Sequence, residues 1–458
     1  MGGIAPAELA VVRDRLEAFA ADLFESLPRK DQRARGESYL RGLMLEGRRK
    51  SIEPIAARLG GEVHYQALHH FVAVSPWDWR PVRRCLAERL VTALEPTAWA
   101  VDDTGFPKDG THSVGVQRQY SGTLGKTANC QLGVSVNAVT EQASCPLDWR
   151  LFLPESWEDD TRRRAACQVP ASVRHRPKWQ LALEMLDELD QWGLRPPVLV
   201  ADAGYGEVGA FRQGLDDRQI DYVVQVKADT SAYPEQVRPS TAPYTGKGRR
   251  PRPRYRDKPC SLTQLALAAG RGACVDLIWR RGSKGLQRSR FLALRVRPAG
   301  ITPRRQAAAR ADGTGWELPT RWLLVEWPAS KPEPVKYWLS NLPETTPLVE
   351  LVRLGKLRWR VEQDYRECKG ALGLDHFEGR SWPGWHHHVT LVSSPTASSP
   401  WSGCAARNRR RRPELVAAAG RAAGPAWLLG RRLPHLQAAS TALATTGTTM
   451  RPDLTESY

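Results

Sequence analysis

Four carboxylates sit where a carboxylate needs a reason to be. Asp102 and Asp103 end the apolar run of TAWAVDD, Asp202 ends a second run in VLVADAGYG, and Glu362 lies within RWRVEQDYRECK. Burying a carboxylate alone is costly, so acids at the ends of apolar strands call for a partner. A divalent cation is one such partner, because Mg²⁺ takes oxygen ligands and binds through few carboxylates together with substrate phosphate. Arg358 stands four residues before Glu362 and Lys369 seven after it, so a helix would carry all three on one face. Such a helix suits one carboxylate to a metal while the flanking cations grip phosphates. Each acid also has an ordinary structural reading. Asp102-Asp103 can cap a turn, Asp202 can be a turn acid, and Glu362 with Arg358 can be a helix salt bridge. Their combination in one basic chain favours chemistry.

The elements that must position these acids are legible in outline. Residues 1–95 read as helical. Segments 6–27 and 35–46 are amphipathic, and Ser51 can cap a helix whose apolar positions are Ile52, Ile55, Ala56 and Leu59. Gly60 and Gly61 break that helix, and a second one follows through about Val72. This pattern predicts a helix-turn-helix DNA-binding domain, with Arg48, Arg49 and Lys50 beside it as DNA contacts. From 96 to 228 the reading is strand at 97–103, strands at 130–139 and 147–154 forming a hairpin, helix at 179–192, strand at 196–206, helix at 207–215 and strand at 221–227. That order predicts a mixed α/β sheet. Residues 229–345 read as a β-rich insertion that opens on the basic loop GKGRRPRPRYRDKP, and residues 346–392 supply the helix carrying Glu362. From 393 to 458 the chain is Ala/Arg-rich and lacks lysine. The expectation there is a disordered tail or a frame-shifted reading of the original C-terminus.

Composition narrows the function classes. The 458 residues include 67 Lys and Arg against 49 Asp and Glu, a net +18. That excess favours a polyanionic partner, nucleic acid above all, through phosphate neutralisation. The eight cysteines are scattered without a CxxC pair, which speaks against a zinc knuckle or a disulfide framework and fits a reducing cytoplasm. No apolar stretch is long enough to span a membrane, and the N-terminus reaches Arg13 and Asp14 too early for a secretory signal. The run His386-His387-His388 is not expected to bind one metal, since consecutive side chains point in different directions.

The segments VDDTGFPK, VLVADAGYG and RWRVEQDYRECKGALGLDHFEGRSW together resemble bacterial insertion-sequence transposases of the DDE type. The resemblance covers roughly residues 30–392. It implies a ribonuclease-H-like core with a β-rich insertion between the second Asp and the Glu, preceded by the helical DNA-binding domain. It also implies an Arg-x3-Glu-x6-Lys signature, matched by Arg358, Glu362 and Lys369. The tyrosine usual three residues before that Arg falls on Gly355, a departure from the pattern. By this resemblance Asp102, Asp202 and Glu362 are the catalytic acids and metal ligands. Mg²⁺ would be the cofactor, with Mn²⁺ able to substitute. Arg358, Lys369 and Arg366 would meet DNA, with Lys108 and Lys126 weaker candidates. The implied reaction is strand cleavage at terminal inverted repeats and transfer of the 3′ end into target DNA, in cut-and-paste fashion. Partners would be double-stranded DNA and a second copy of the chain, in a bacterial cytoplasm at the nucleoid, with no membrane. One of the insertion aromatics Trp279, Trp322, Trp327, Tyr337 and Trp338 would stack a flipped base, while most serve the core. Two other readings stand beside this one: a catalytically inactive or domesticated DNA-binding relic, and a plain metal-dependent nuclease.

Overall fold

The computed structural model describes residues 6–61, 63–122, 125–282, 285–309 and 316–398. Twelve strands form one mixed sheet: β1 (Ala98–Pro107), β2 (Gln117–Ser121), β3 (Lys126–Val139), β4 (Ser144–Leu151), β5 (Leu199–Ala201), β6 (Tyr222–Val226), β7 (Ser231–Pro234), β8 (Cys260–Ser261), β9 (Val275–Gly282), β10 (Gly285–Pro298), β11 (Arg321–Glu326) and β12 (Lys336–Ser340). β1 pairs antiparallel with β3, which pairs with β4, and on its other side runs parallel to β5, which runs parallel to β6. Ala98, Trp99, Ala100 and Val101 are fully buried. Helices cover both faces of this part of the sheet, so the apolar run is continuous rather than alternating.

The strands of residues 229–345 continue the same sheet. β12 pairs antiparallel with β6, and β11, β10, β7 and β8 follow outward. The sequence presents them as an insertion, and they do carry a small core of their own, including Leu262, Leu292, Val296, Leu323 and Leu339. The backbone ladder nonetheless makes them an extension of the central sheet.

The N-terminal helices Pro6–Leu23, Lys30–Met44, Ile52–Arg58, Tyr65–His69 and Trp79–Leu94 share one hydrophobic core with the sheet. Arg83, fully buried, donates to Asp148 Oδ1 (2.6 Å), to the Trp149 carbonyl (2.9 Å) and to Thr390 Oγ1 (2.8 Å). One side chain thus ties a helix of this layer to β4 and to the helix Trp382–Ser398. The three histidines lie at the same seam. His387 places its two ring nitrogens 2.8 Å from the carbonyls of Val72 and Trp77, and His388 lies between Tyr39 and the Leu374 carbonyl. His386 stacks on Trp79 with ring centroids 4.5 Å apart. All three histidines are buried in the core at this seam.

The helix Trp382–Ser398 continues past the sequence boundary at 393, and Ser393 and Ser394 are buried. The remainder of the expected tail, 399–458, lies outside the described residues. No helix among the described residues is long and apolar enough to cross a membrane.

Candidate active site

β1 and β5 are neighbours in parallel, with Val101 level with Ala201. Val101 and Ala201 therefore stand one strand spacing apart, about 4.8 Å, and Asp102 and Asp202 are the next residues along each chain. Asp102 is 6% exposed, whereas Asp202 has just left the strand and caps the short helix Ala203–Gly206 by accepting from the Gly204 N–H (2.9 Å). Strand alternation separates the two adjacent acids on β1. Asp102 accepts from Arg358 Nη1 at 2.8 Å. Asp103 accepts from Lys178 Nζ at 2.9 Å and from the Tyr205 hydroxyl at 3.2 Å. Lys178 and Tyr205 escaped the sequence reading because nothing in their local pattern marks them; only the fold brings them to Asp103.

Glu362 arrives from the far end of the chain. Two helices, Leu348–Leu357 and Trp359–Glu367, meet at Arg358, and Arg358 Nη2 donates to Glu362 one turn on. One guanidinium therefore lies between Asp102 and Glu362. Burial pushes the Asp102 carboxyl up to about 7, Arg358 opposes this, and the nearby charges of Asp202 and Asp103 add to it. Burial pulls Arg358 down, but Asp102, Glu362 and Asp202 outweigh it and hold the guanidinium above its ordinary value. All three candidate acids thus act on a single cation.

The donor set suits a hard divalent cation in kind, since every candidate ligand is a carboxylate oxygen. Its placement is different from a ready-made cage. Asp102 and Asp202 adjoin, while Glu362 stands one guanidinium away. Among the described residues no three His, Cys, Asp or Glu side chains form a group able to hold a metal ion.

The expected basic contacts divide. Arg366 is exposed on the helix of Glu362. Lys369 does not share an open face with Glu362. The helix gives way to a wide turn at Cys368–Leu372, and Lys369, 9% exposed, donates to the Gly105 carbonyl at 2.6 Å. Burial lowers its pKa to about 8, with Asp375 opposing. Lys50 is also directed inward. It is 4% exposed and donates to the carbonyls of Leu43 (2.7 Å) and Leu45, where the helix Lys30–Met44 ends. Those orphan carbonyls need donors, and Lys50 supplies them instead of facing solvent. Arg48 and Arg49 remain exposed. They line a groove of about 690 Å³ with Lys108, His112, Glu378 and Arg380. Within it Arg49 pairs with Glu378 at 2.5 Å, and Lys108 donates to the Phe377 carbonyl. Lys126 is exposed at the start of β3. Of the insertion aromatics, Trp327, Tyr337 and Trp338 are buried, and Trp279 and Trp322 are partly exposed.

Gly355, where the pattern departs, lies against β11 and β12. A Cβ added there would lie 3.2 Å from Leu324 Cδ2 and 3.5 Å from the Trp338 ring. A side chain at this position would meet β11 and β12 from its first carbon on.

Comparison with known proteins agrees with this architecture. A family model described as DDE superfamily endonuclease matches residues 22–286, more than half of the chain, including Asp102 and Asp202 but stopping short of Glu362. A protein of Microchaete diplosiphon, "Probable transposase for insertion sequence element IS701", is 30% identical over 191 residues, covering 41% of this chain and 47% of that relative. The chain spans about half the length of the curated relative it matches.

Proposed function

The chain belongs to the DDE superfamily endonucleases, and from that premise we propose that it is the transposase of an insertion sequence, cutting DNA at terminal inverted repeats and joining the freed 3′ end to target DNA by cut-and-paste. The observation that carries this reading is the placing of Asp102, inside β1, beside the end of β5 where Asp202 follows, with Glu362 reached through Arg358 from 160 residues further on. Asp102, Asp202 and Glu362 would hold the divalent metal, Mg²⁺ with Mn²⁺ as substitute. When bound, it supplies Lewis-acid stabilisation of a phosphodiester under in-line attack.

The protein's own residues orient and neutralise. Asp102 and Asp202 present oxygens from the rigid sheet, and positioning is the main contribution a phosphoryl-transfer site makes. Arg358 holds Asp102 and Glu362 in register. In the working complex it would turn to the phosphate beside the cut, with Arg366 exposed on the same helix to meet the neighbouring backbone. Lys369 would act from within by holding the β1 backbone at Gly105, three residues beyond Asp102. The groove of Arg48, Arg49 and Lys108 would take flanking DNA, with the exposed Tyr65, Gln66 and His69 of the proposed helix-turn-helix facing the repeat. Two copies of the chain would pair the two element ends.

A cleavage assay with Mg²⁺ on DNA bearing the inverted repeats that flank the gene, comparing wild type with Asp202→Ala, tests the reading. Repeat-dependent cleavage that disappears in the variant supports it. Binding without cleavage by the wild type would identify a DNA-binding relic, and cleavage indifferent to the repeat a plain nuclease.

A further inference from the structure

We infer that the buried ion pair between Lys356 and Glu326 is a positioning device, by which the inserted strands set the place of Arg358 and Glu362. Lys356 lies two residues before Arg358, at the end of the helix Leu348–Leu357. Its ammonium pairs with Glu326 of β11, and both side chains are nearly closed to solvent, at 11% and 10% exposure. The ammonium also lies 4.9 Å from the Trp279 ring of β9, and 5.5 Å from Phe291 of β10 and Trp338 of β12. One side chain therefore meets residues from four strands of the insertion. On the other side of Arg358, the Arg280 guanidinium of β9 covers the Trp359 ring at 3.7 Å, while Gly355, just before Lys356, lies against Leu324 and Trp338. The residues on either side of Arg358 are thus gripped by the insertion, while Arg358 itself reaches the acids.

The energetics favour a geometric role. A buried Lys-Glu pair carries a desolvation cost that apolar residues of similar volume avoid, so it is a poor way to gain stability but an effective way to fix register. A cation enclosed by three aromatic rings has one preferred location. The carboxylate and guanidinium two to six residues further on inherit that location. A misplacement on the order of 1 Å at a phosphoryl-transfer site is worth about a hundredfold in rate.

This inference rests on the proposed cleavage activity, so its test carries a readout independent of it. Lys356→Met, Lys356→Arg, Glu326→Gln and the double variant Lys356→Met/Glu326→Leu are compared with wild type in Mg²⁺-dependent DNA cleavage and in amide hydrogen exchange over residues 359–367. The expected result is kcat lower by about tenfold or more in Lys356→Met and Glu326→Gln, with KM for DNA within about twofold and faster exchange in that helix. Lys356→Arg recovers part of kcat, and the apolar double variant melts no lower than wild type yet stays slow. A double variant that turns over at the wild-type rate, or a kcat loss that merely follows a lowered melting temperature, would overturn the inference. If the wild type cleaves no DNA, the functional reading fails, and exchange over 359–367 decides the positioning role alone: unchanged exchange in the double variant refutes it.

Discussion

Arg358 donates to Asp102 across 256 residues of chain, at 2.8 Å, while its second terminal nitrogen holds Glu362. This one guanidinium joins the central strand of the sheet to the helix that follows the insertion. Its location accounts for how a buried carboxylate beside a second carboxylate is tolerated, and it sets up the first prediction.

Asp102 is held near 7, far above an unperturbed aspartate, chiefly by burial. A raised acid pKa stabilises the fold fully below the unfolded value of about 4, and that contribution fades as the pH rises through about 7. In chelator, the stability of wild type relative to Asp102→Asn is therefore expected to fall between about pH 4 and pH 7 and to level off above. Urea unfolding across that range measures it. A flat difference between the two proteins would contradict the burial argument.

Glu362 is about half exposed, and Arg358 holds it from one helical turn away. Glu362→Gln is expected to leave the melting temperature within a degree or two while lowering cleavage by about a thousandfold, or about 4 kcal/mol in barrier. Thermal melting and single-turnover cleavage separate the two effects. Equal activity of Glu362→Gln and wild type would remove Glu362 from the proposed metal-binding set.

Arg48 and Arg49 face the groove, whereas Lys50 turns inward to Leu43 and Leu45. Replacing both arginines by alanine is expected to weaken DNA binding and to lower the slope of log affinity against log salt by about one for each phosphate no longer neutralised. Lys50→Met is expected to leave that slope unchanged and instead destabilise the fold by about 1–3 kcal/mol, because two helix-end carbonyls lose their donor. Binding isotherms at several salt concentrations, with a melting curve for each variant, distinguish these outcomes.

His387 and His388 respond to conditions at the seam between the N-terminal helices and the sheet. Burial drives their pKa values down to about 4 and about 3, against the carbonyls that face them. A depressed histidine contributes stability that is complete above the unfolded value near 6.5 and declines as the pH falls toward the folded value. Acid is therefore expected to loosen this seam between about pH 6.5 and 4. Tryptophan fluorescence should follow it, since Trp77 stacks on His387 with centroids 3.8 Å apart. His387→Gln should flatten part of that decline.

Local chemistry alone determined much of this protein. The apolar runs ending at Asp102 and Asp202 had to be buried strands, because side chains so apolar on both faces have no solvated alternative, and β1 and β5 lie there. The helical spacing of Arg358 and Glu362 likewise made their pairing predictable from one turn of helix. Tertiary structure decided the rest. Whether a lysine meets solvent or a carbonyl depends on what packs above it, so Lys50 and Lys369 could not be told from surface cations by their neighbours in sequence. The joining of β12 to β6 depends on a ladder between segments more than a hundred residues apart, which strand patterning does not encode. The partners of Asp103 and Lys356 are fixed by the same long-range closure, and so is the guanidinium that stands among the three acids.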